Sequence, residues 1–289
     1  MTDTEKMIRR QLALEMNCSP EDFDKTENII TTAIMHEKRR MYSSDPTFLT
    51  MVTFGKNAVI SADEEMHPWL TEWVKGKTGF RLFEQHNFFE LECELRRHGY
   101  KMAPTHHMFF PRPRTRGGDS VSDLSSEVGN SASQPLYSSD PDRFFLRTRG
   151  ESTVPPFPVK FLEQQDIAPF YGREEFPNAI CDRFHPERPD VLAVIALDGE
   201  NIMGMAGCSA DTPEMWQIGI DVLPQYRGKG VARTLVTLLK EEAQRRGALP
   251  FYGTSLSNIG SWRTAIDSGF IPAWVEVESR RLTDNEFAK

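Results

Sequence analysis

Cysteine is scarce in this 289-residue chain. Its four copies, Cys18, Cys93, Cys181 and Cys208, are scattered and form no CxxC pair, so a reduced protein without a cysteine framework is expected. Long apolar runs are missing too. None approaches the ~18 residues of a membrane span, and the opening Met1-Thr2-Asp3-Thr4-Glu5-Lys6 is polar, with no apolar signal core. A soluble, cytoplasmic protein without a membrane partner is the simplest expectation. An excess of basic residues is also absent: the net charge is −8 and the isoelectric point about 5.5, which argues against general nucleic-acid binding. Mild acidity is compatible with a cationic amine as substrate. The length leaves room for about two ordinary domains.

The most informative stretch is Gln225-Tyr226-Arg227-Gly228-Lys229-Gly230-Val231-Ala232. It follows a strand-like run, Met215 to Val222, and opens a helix-like run ending near Arg246. Glycine has no Cβ, so two glycines there let the backbone approach a ligand closely. The first N–H groups of a helix lack partners and its dipole favours negative charge, so the turn suits a phosphate or pyrophosphate. Two nucleotide signatures fail on the residues. A Walker loop needs Ser or Thr after GK, whereas Gly228-Lys229 is followed by Gly230 and Val231. A dinucleotide fingerprint needs a third glycine where Arg233 stands.

The octet resembles Q-x-x-G-x-G, the pyrophosphate loop of the GNAT superfamily of acyl-CoA-dependent N-acetyltransferases. A second match lies downstream. Pro250 to Thr254 reads as a strand, and Asn258, Ser261, Gly269 and Phe270 fit the superfamily's spacing, while its tyrosine position holds Ala265. The hairpin Val191–Leu197, Asp198-Gly199-Glu200-Asn201, Ile202–Ser209 also fits. The resemblance covers roughly residues 157 to 280. It implies an α/β class with a mixed sheet (α+β), whose fourth and fifth strands splay apart around the thioester.

Three segments are expected. Residues 1–110 read as an N-terminal α/β lobe, either a degenerate half-GNAT or an unrelated cap. The first reading rests on Phe80–Glu84 as a strand, Phe88–Arg97 as a helix and Gly99-Tyr100 as its stop, parallel to the order around Asn258 and Gly269. Strands are also expected at Phe48–Phe54, Ala58–Ser61 and His107–Phe110, with helices starting at Ser19-Pro20 and spanning Met66–Lys75. Residues 111–152, rich in Ser, Gly, Asp and Pro, read as a flexible linker. Residues 153–289 read as the GNAT domain, with helices at Glu163–Tyr171 and Pro177–Phe184.

The resemblance implies acetyl-CoA as cosubstrate and no metal. The adjacent His106 and His107 point to opposite faces of a strand and do not share an ion. Val222, Gln225, Tyr226, Arg227, Gly228, Lys229, Gly230, Val231, Asn258 and Ser261 are the expected cofactor contacts; Asn258 and Ser261 are also good helix caps. A backbone N–H near Val222 would face the developing oxyanion. A protonated amine must lose a proton before attack, and Glu214, on the strand parity of Trp216 and Ile218, is the candidate base, or else an exposed strand-end carboxylate. With Ala265 at the tyrosine position the proton donor is open; Tyr252 or Tyr226 could act or merely pack. The expected partner is an amine-bearing small molecule or peptide, and a homodimer is compatible with this reading. Two alternatives stay open: a CoA-binding sensor without turnover, and transfer of a longer acyl group.

Overall fold

The computed structural model describes residues 1–41, 47–113, 146–148, 151–153 and 155–283. Helix α1 (Asp3–Glu15) leads into strands β1 (Ile29–Thr32), β2 (Leu49–Thr53) and β3 (Ala58–Ala62). Helices α2 (His67–Trp73) and α3 (Gln85–Arg97) follow, then β4 (Tyr100–Met102) and β5 (His106–Pro111). A hairpin of β6 (Leu146–Thr148) and β7 (Glu151–Thr153) precedes β8 (Val159–Glu163), the single turn α4 (Gln164–Ile167), β9 (Asp190–Asp198), β10 (Asn201–Ala210) and β11 (Met215–Val222). Helix α5 (Val231–Arg245), β12 (Leu249–Ser255), α6 (Ile259–Asp267) and β13 (Phe270–Arg281) complete the order. Among the described residues no helix is long and apolar enough to cross a membrane. Apart from 111–113, β6 and β7, the linker expected over 111–152 falls outside the described residues.

One mixed sheet runs through the molecule in the order β1-β3-β2-β13-β5-β12-β11-β10-β9-β8, with β4 beside β13. Strand β5 comes from the N-terminal part of the chain but lies between β12 and β13, antiparallel to both. Its alternation serves both faces. Met108 and Phe110 join the α1 side with Ile8, Leu12, Met215, Phe251 and Trp274, whereas Phe109 joins the α5 side with Val231, Leu235, Tyr252 and Ala265. Helices α2 and α3 bury Leu70, Trp73, Leu91 and Leu95 against Met51, Ile60 and Val277. Helix α5 sends an i, i+4 stripe, Val231, Leu235, Leu239 and Ala243, into the core.

Three elements differ from the sequence reading. The strand expected at Phe80–Glu84 is a 3-10 turn, Gly79–Phe83. It buries Gly79 and Leu82, three apart, rather than alternate residues, and Asn87 Nδ2 donates to the Arg81 carbonyl at 2.7 Å to fold the turn onto α3. The helix expected at Pro177–Phe184 is a string of turns. There the N–H groups of Asn178 and Ala179 donate to Asp221, and that of Cys181 to Asp190, instead of to carbonyls one turn back. The start at Ser19-Pro20 gives only a short 3-10 turn, Pro20–Asp24. The first long helix is α1, whose signal is a capping box in which Thr2 N–H donates to Glu5 and Glu5 N–H to Thr2 Oγ1.

A buried charge cluster ties α1 to β13. Arg40 is bidentate to Glu15, and its Nη2 lies 2.9 Å from Glu276 Oε2, which also accepts from Trp274 Nε1 at 2.6 Å. Removing one partner strands the other charge in the core. Arg40→Ala is therefore expected to cost about 3–5 kcal/mol in urea denaturation; a loss below ~1 kcal/mol, as for an exposed pair, would contradict this.

Glu278, two residues along the same strand face, has its carboxyl pushed up to about 7 by burial and then by the Glu276 charge. The folded chain holds that proton more tightly than the unfolded chain, so this contribution to stability falls as pH rises from the ordinary glutamate range toward 7. Glu278→Gln is expected to raise the urea midpoint at pH 8 more than at pH 5. An equal shift at both would refute the linkage.

Candidate functional site

Strands β11 and β12 pair in parallel from Met215↔Leu249 to Ile218↔Tyr252 and then separate. Beyond that point β11 stays bonded to β10 up to Val222↔Gly204, while β12 stays bonded to β5 up to Ser255↔His106. Each strand keeps its outer neighbour, and the inner edges open onto a cavity of about 1390 Å³.

At one end of the cavity is the glycine turn. Gly228 and Gly230 have φ of 75° and 79°, a region unfavourable to residues with a Cβ, and Gly230 is the N-cap of α5. Nothing lies within 4 Å of where a Cβ on either would sit, so the turn faces open space. The N–H groups of residues 228 to 233 find no acceptor among the described residues, and the first capping bond of α5 is Thr234 N–H to Gly230 O. Arg227 Nε donates to the Val222 carbonyl at 3.2 Å, fixing the loop to the strand end. Arg227, Arg233 and Arg263 line this end. Unsatisfied N–H groups, a helix N-terminus and guanidinium groups together suit a polyanionic phosphate ligand.

Of the expected contacts, Val222, Tyr226, Arg227, Gly228, Gly230, Val231, Asn258 and Ser261 line this one cavity. Gln225 and Lys229 do not. Lys229 Nζ instead sits 5.1 Å from the centroid of the Tyr226 ring, whose hydroxyl donates to Asp198 at 3.2 Å. Asn258 caps α6, accepting from Ser261 N–H at 3.1 Å. Glu214 is not brought to the site. It is exposed, and it precedes β11 at the end where the strands are still paired, about 25 Å along the strand from Val222. Residue parity gave its face but not its distance from the gap.

Of the two tyrosines considered in place of Ala265, Tyr252 has its hydroxyl within a hydrogen-bonded pair beside the cavity. Its ring is buried, and its OH lies 2.7 Å from Ser261 Oγ, one helical turn before the buried Ala265. Burial raises the Tyr252 pKa, so the phenol stays protonated. Tyr252 and Ser261 both line the cavity.

The other end of the cavity depends on two glycines. Gly207 and Gly219 face each other across β10 and β11, and the turn at 178–179 passes directly over them. A Cβ at Gly219 would overlap the Asn178 carbonyl, and one at Gly207 that of Ala179. Asp221 then clamps the turn, accepting from Asn178 N–H and Nδ2 at 2.7 Å and from Ala179 N–H at 2.8 Å. Arg188 bridges Asp211 Oδ1 at 2.7 Å and Gln217 Oε1 at 2.6 Å. Burial pushes the Cys181 thiol up to about 12, which disfavours its thiolate. Glu174 and Glu175 are exposed and do not line the cavity. Gly219→Ala is expected to displace the 178–179 turn and to cost ~1–3 kcal/mol in thermal or urea unfolding, as overpacking does. An unchanged midpoint would contradict the close approach.

Residues 158–270 match the model of the Acetyltransferase (GNAT) family. No curated protein sequence matches the chain. Among solved structures, a GCN5-related N-acetyltransferase-like protein from Streptococcus suis is similar at 16% identity, over 83% of this chain and 87% of that one, with a TM-score of 0.42. A protein assigned to the GNAT acetyltransferases from Novosphingobium aromaticivorans shares 14% identity over 64% of this chain and 69% of its own, with a TM-score of 0.40. A Salmonella typhimurium protein assigned as an acetyltransferase and solved with acetyl-CoA shares 16% over 44% of this chain and 94% of its own, at a TM-score of 0.31. Residues 158–270, which carry the opened strands and the glycine turn, are a domain of the acetyltransferase (GNAT) family.

Proposed function

We propose that the chain is an N-acetyltransferase that moves an acetyl group from acetyl-CoA to a primary amine by direct attack in a ternary complex. One observation carries the reading: a single cavity runs from a helix N-terminus with unsatisfied N–H groups, through a gap between two strands, to a polar wall of different character. Acetyl-CoA supplies an activated thioester. The N–H groups of 228–233 and the guanidiniums of Arg227 and Arg233 hold its phosphates, and Asn258 and Ser261 flank its arm. A backbone N–H on the open edge of β11, near Val222, meets the carbonyl oxygen as charge develops there.

The thiolate that departs needs a proton. Ala265 is the one residue that favours cofactor binding without turnover, but the Tyr252–Ser261 hydroxyl pair, one turn away, fills the role of donor. The acceptor binds at the opposite wall, formed by the 178–182 turn, Gln217 and Arg188.

Calorimetry with acetyl-CoA tests the cradle. Wild type is expected to bind in the nanomolar-to-micromolar range and Gly228→Glu to lose binding; a folded wild type that does not bind overturns the reading. Tyr252→Phe is expected to lower kcat by roughly 100-fold or more while leaving acetyl-CoA affinity nearly unchanged, as loss of a proton donor does. A kcat equal to wild type would remove the phenol from the mechanism.

A further inference from the structure

The strand that the N-terminal part of the chain inserts into the sheet, β5, also brings a side chain to the cavity. Along β5, residues alternate between faces. His107 turns toward α6, where its ring stands 4.6 Å from that of Trp262 in an edge-on contact, and burial lowers its pKa. His106 therefore faces the other way. It is half-buried, it lines the cavity, and it stands directly opposite Ser255 on one side and Glu276 on the other. That is the face of Gln217, Gly219 and Asp221, the wall away from the glycine turn.

The other ionisable groups on this wall are already committed. Asp221 accepts three hydrogen bonds from the 178–179 turn. Asp190 accepts from Cys181 N–H at 3.1 Å, and Asp182 is paired with His185 at 3.1 Å. Arg188 is a cation engaged by Asp211 and Gln217. Glu276, opposite His106, is engaged by Arg40 and Trp274. The His106 ring shows no hydrogen bond to the described residues, and imidazole is the side chain best suited to take a proton near neutral pH.

We propose that His106 is the proton acceptor for the acceptor amine, so that the N-terminal segment supplies a catalytic group to the cavity of the C-terminal domain. The proposal rests on the transferase reading given above. The amine nitrogen gives its proton to an imidazole nitrogen and forms a bond to the acetyl carbon. The carbon–sulfur bond breaks, and the sulfur takes a proton from the Tyr252–Ser261 pair. His106 later returns its proton to solvent, the second proton shed by the nitrogen as the amide forms restores the Tyr252–Ser261 pair, and no redox partner is required.

The test uses the full-length chain, acetyl-CoA, and a fixed panel of primary amines: a polyamine, an aminoglycoside and a lysine-containing peptide. Thiol release is followed for wild type, His106→Gln and His106→Ala, with acetyl-CoA affinity measured by calorimetry for each. The expected result is a fall in kcat of roughly 100-fold in both variants with acetyl-CoA affinity retained. Added imidazole should restore turnover of His106→Ala in proportion to its free-base concentration. Variants that turn over within about twofold of wild type, or that fall without imidazole rescue while still binding acetyl-CoA, overturn the role of His106 and leave the transferase reading standing. If binding is lost in both variants, His106 is structural and the proposal fails. Wild type that binds acetyl-CoA but releases no thiol with any amine overturns the transferase reading and this proposal together.

Discussion

Everything at the site follows from where the β11–β12 ladder stops. After Ile218↔Tyr252 the two strands keep their outer neighbours and lose each other. Backbone N–H and C=O groups left unpaired inside a protein are costly, so such a gap persists only where the flanking strands are held firmly from outside. Here β10 holds one side through Val222 and β5 holds the other through Ser255. The inserted strand is thus more than an edge added to a finished domain. It bonds β12 on one side and β13 on the other, and it places part of the N-terminal segment inside the sheet that carries the site. The Arg40 cluster joins α1 to the same β13.

The gap has two chemically different ends. At the helix end, N–H groups and guanidiniums converge with few carboxylates, which suits phosphates. At the far end, carboxylates and amides are paired with one another, and the wall is shaped by backbone: two facing glycines admit the carbonyls of Asn178 and Ala179, and Asp221 locks the turn above them. In the proposed transfer, an anionic cosubstrate and a cationic acceptor approach from opposite ends and meet where the strands part.

Much of the fold was legible from residue order. The hairpin over 191–209, the glycine turn, α5, β12 and α6 follow from periodicity and from Gly, Asn and Ser at the turns. The glycine turn was legible because two residues without a Cβ ahead of a helix let backbone N–H groups approach an anion, in an order that resembles a pyrophosphate loop. What sequence could not give was non-local. Parity put Glu214 on a plausible face, yet only the ladder shows that it lies at the closed end of the strand. Pro177–Phe184 has no helix because Asp221 and Asp190, remote in sequence, take its N–H groups. The run at 80–84, which reads as a strand, is a 3-10 turn because Gly79 and Leu82 are buried together and Asn87 holds the Arg81 carbonyl. The place of His106 on the cavity wall is not legible either, since nothing in its neighbours announces that β5 slots beside β12.

The most direct measurement is hydrogen exchange of the backbone amides with and without acetyl-CoA. If the opened edge and the helix N-terminus hold the cosubstrate, the amides of Ile220 and Val222, which alternate with those turned toward β10, and those of 228–233 should exchange quickly in the free chain and slow together when it is added, while the already paired 215–218 change little. Protection confined to other parts of the chain, or none in either segment, would contradict the account.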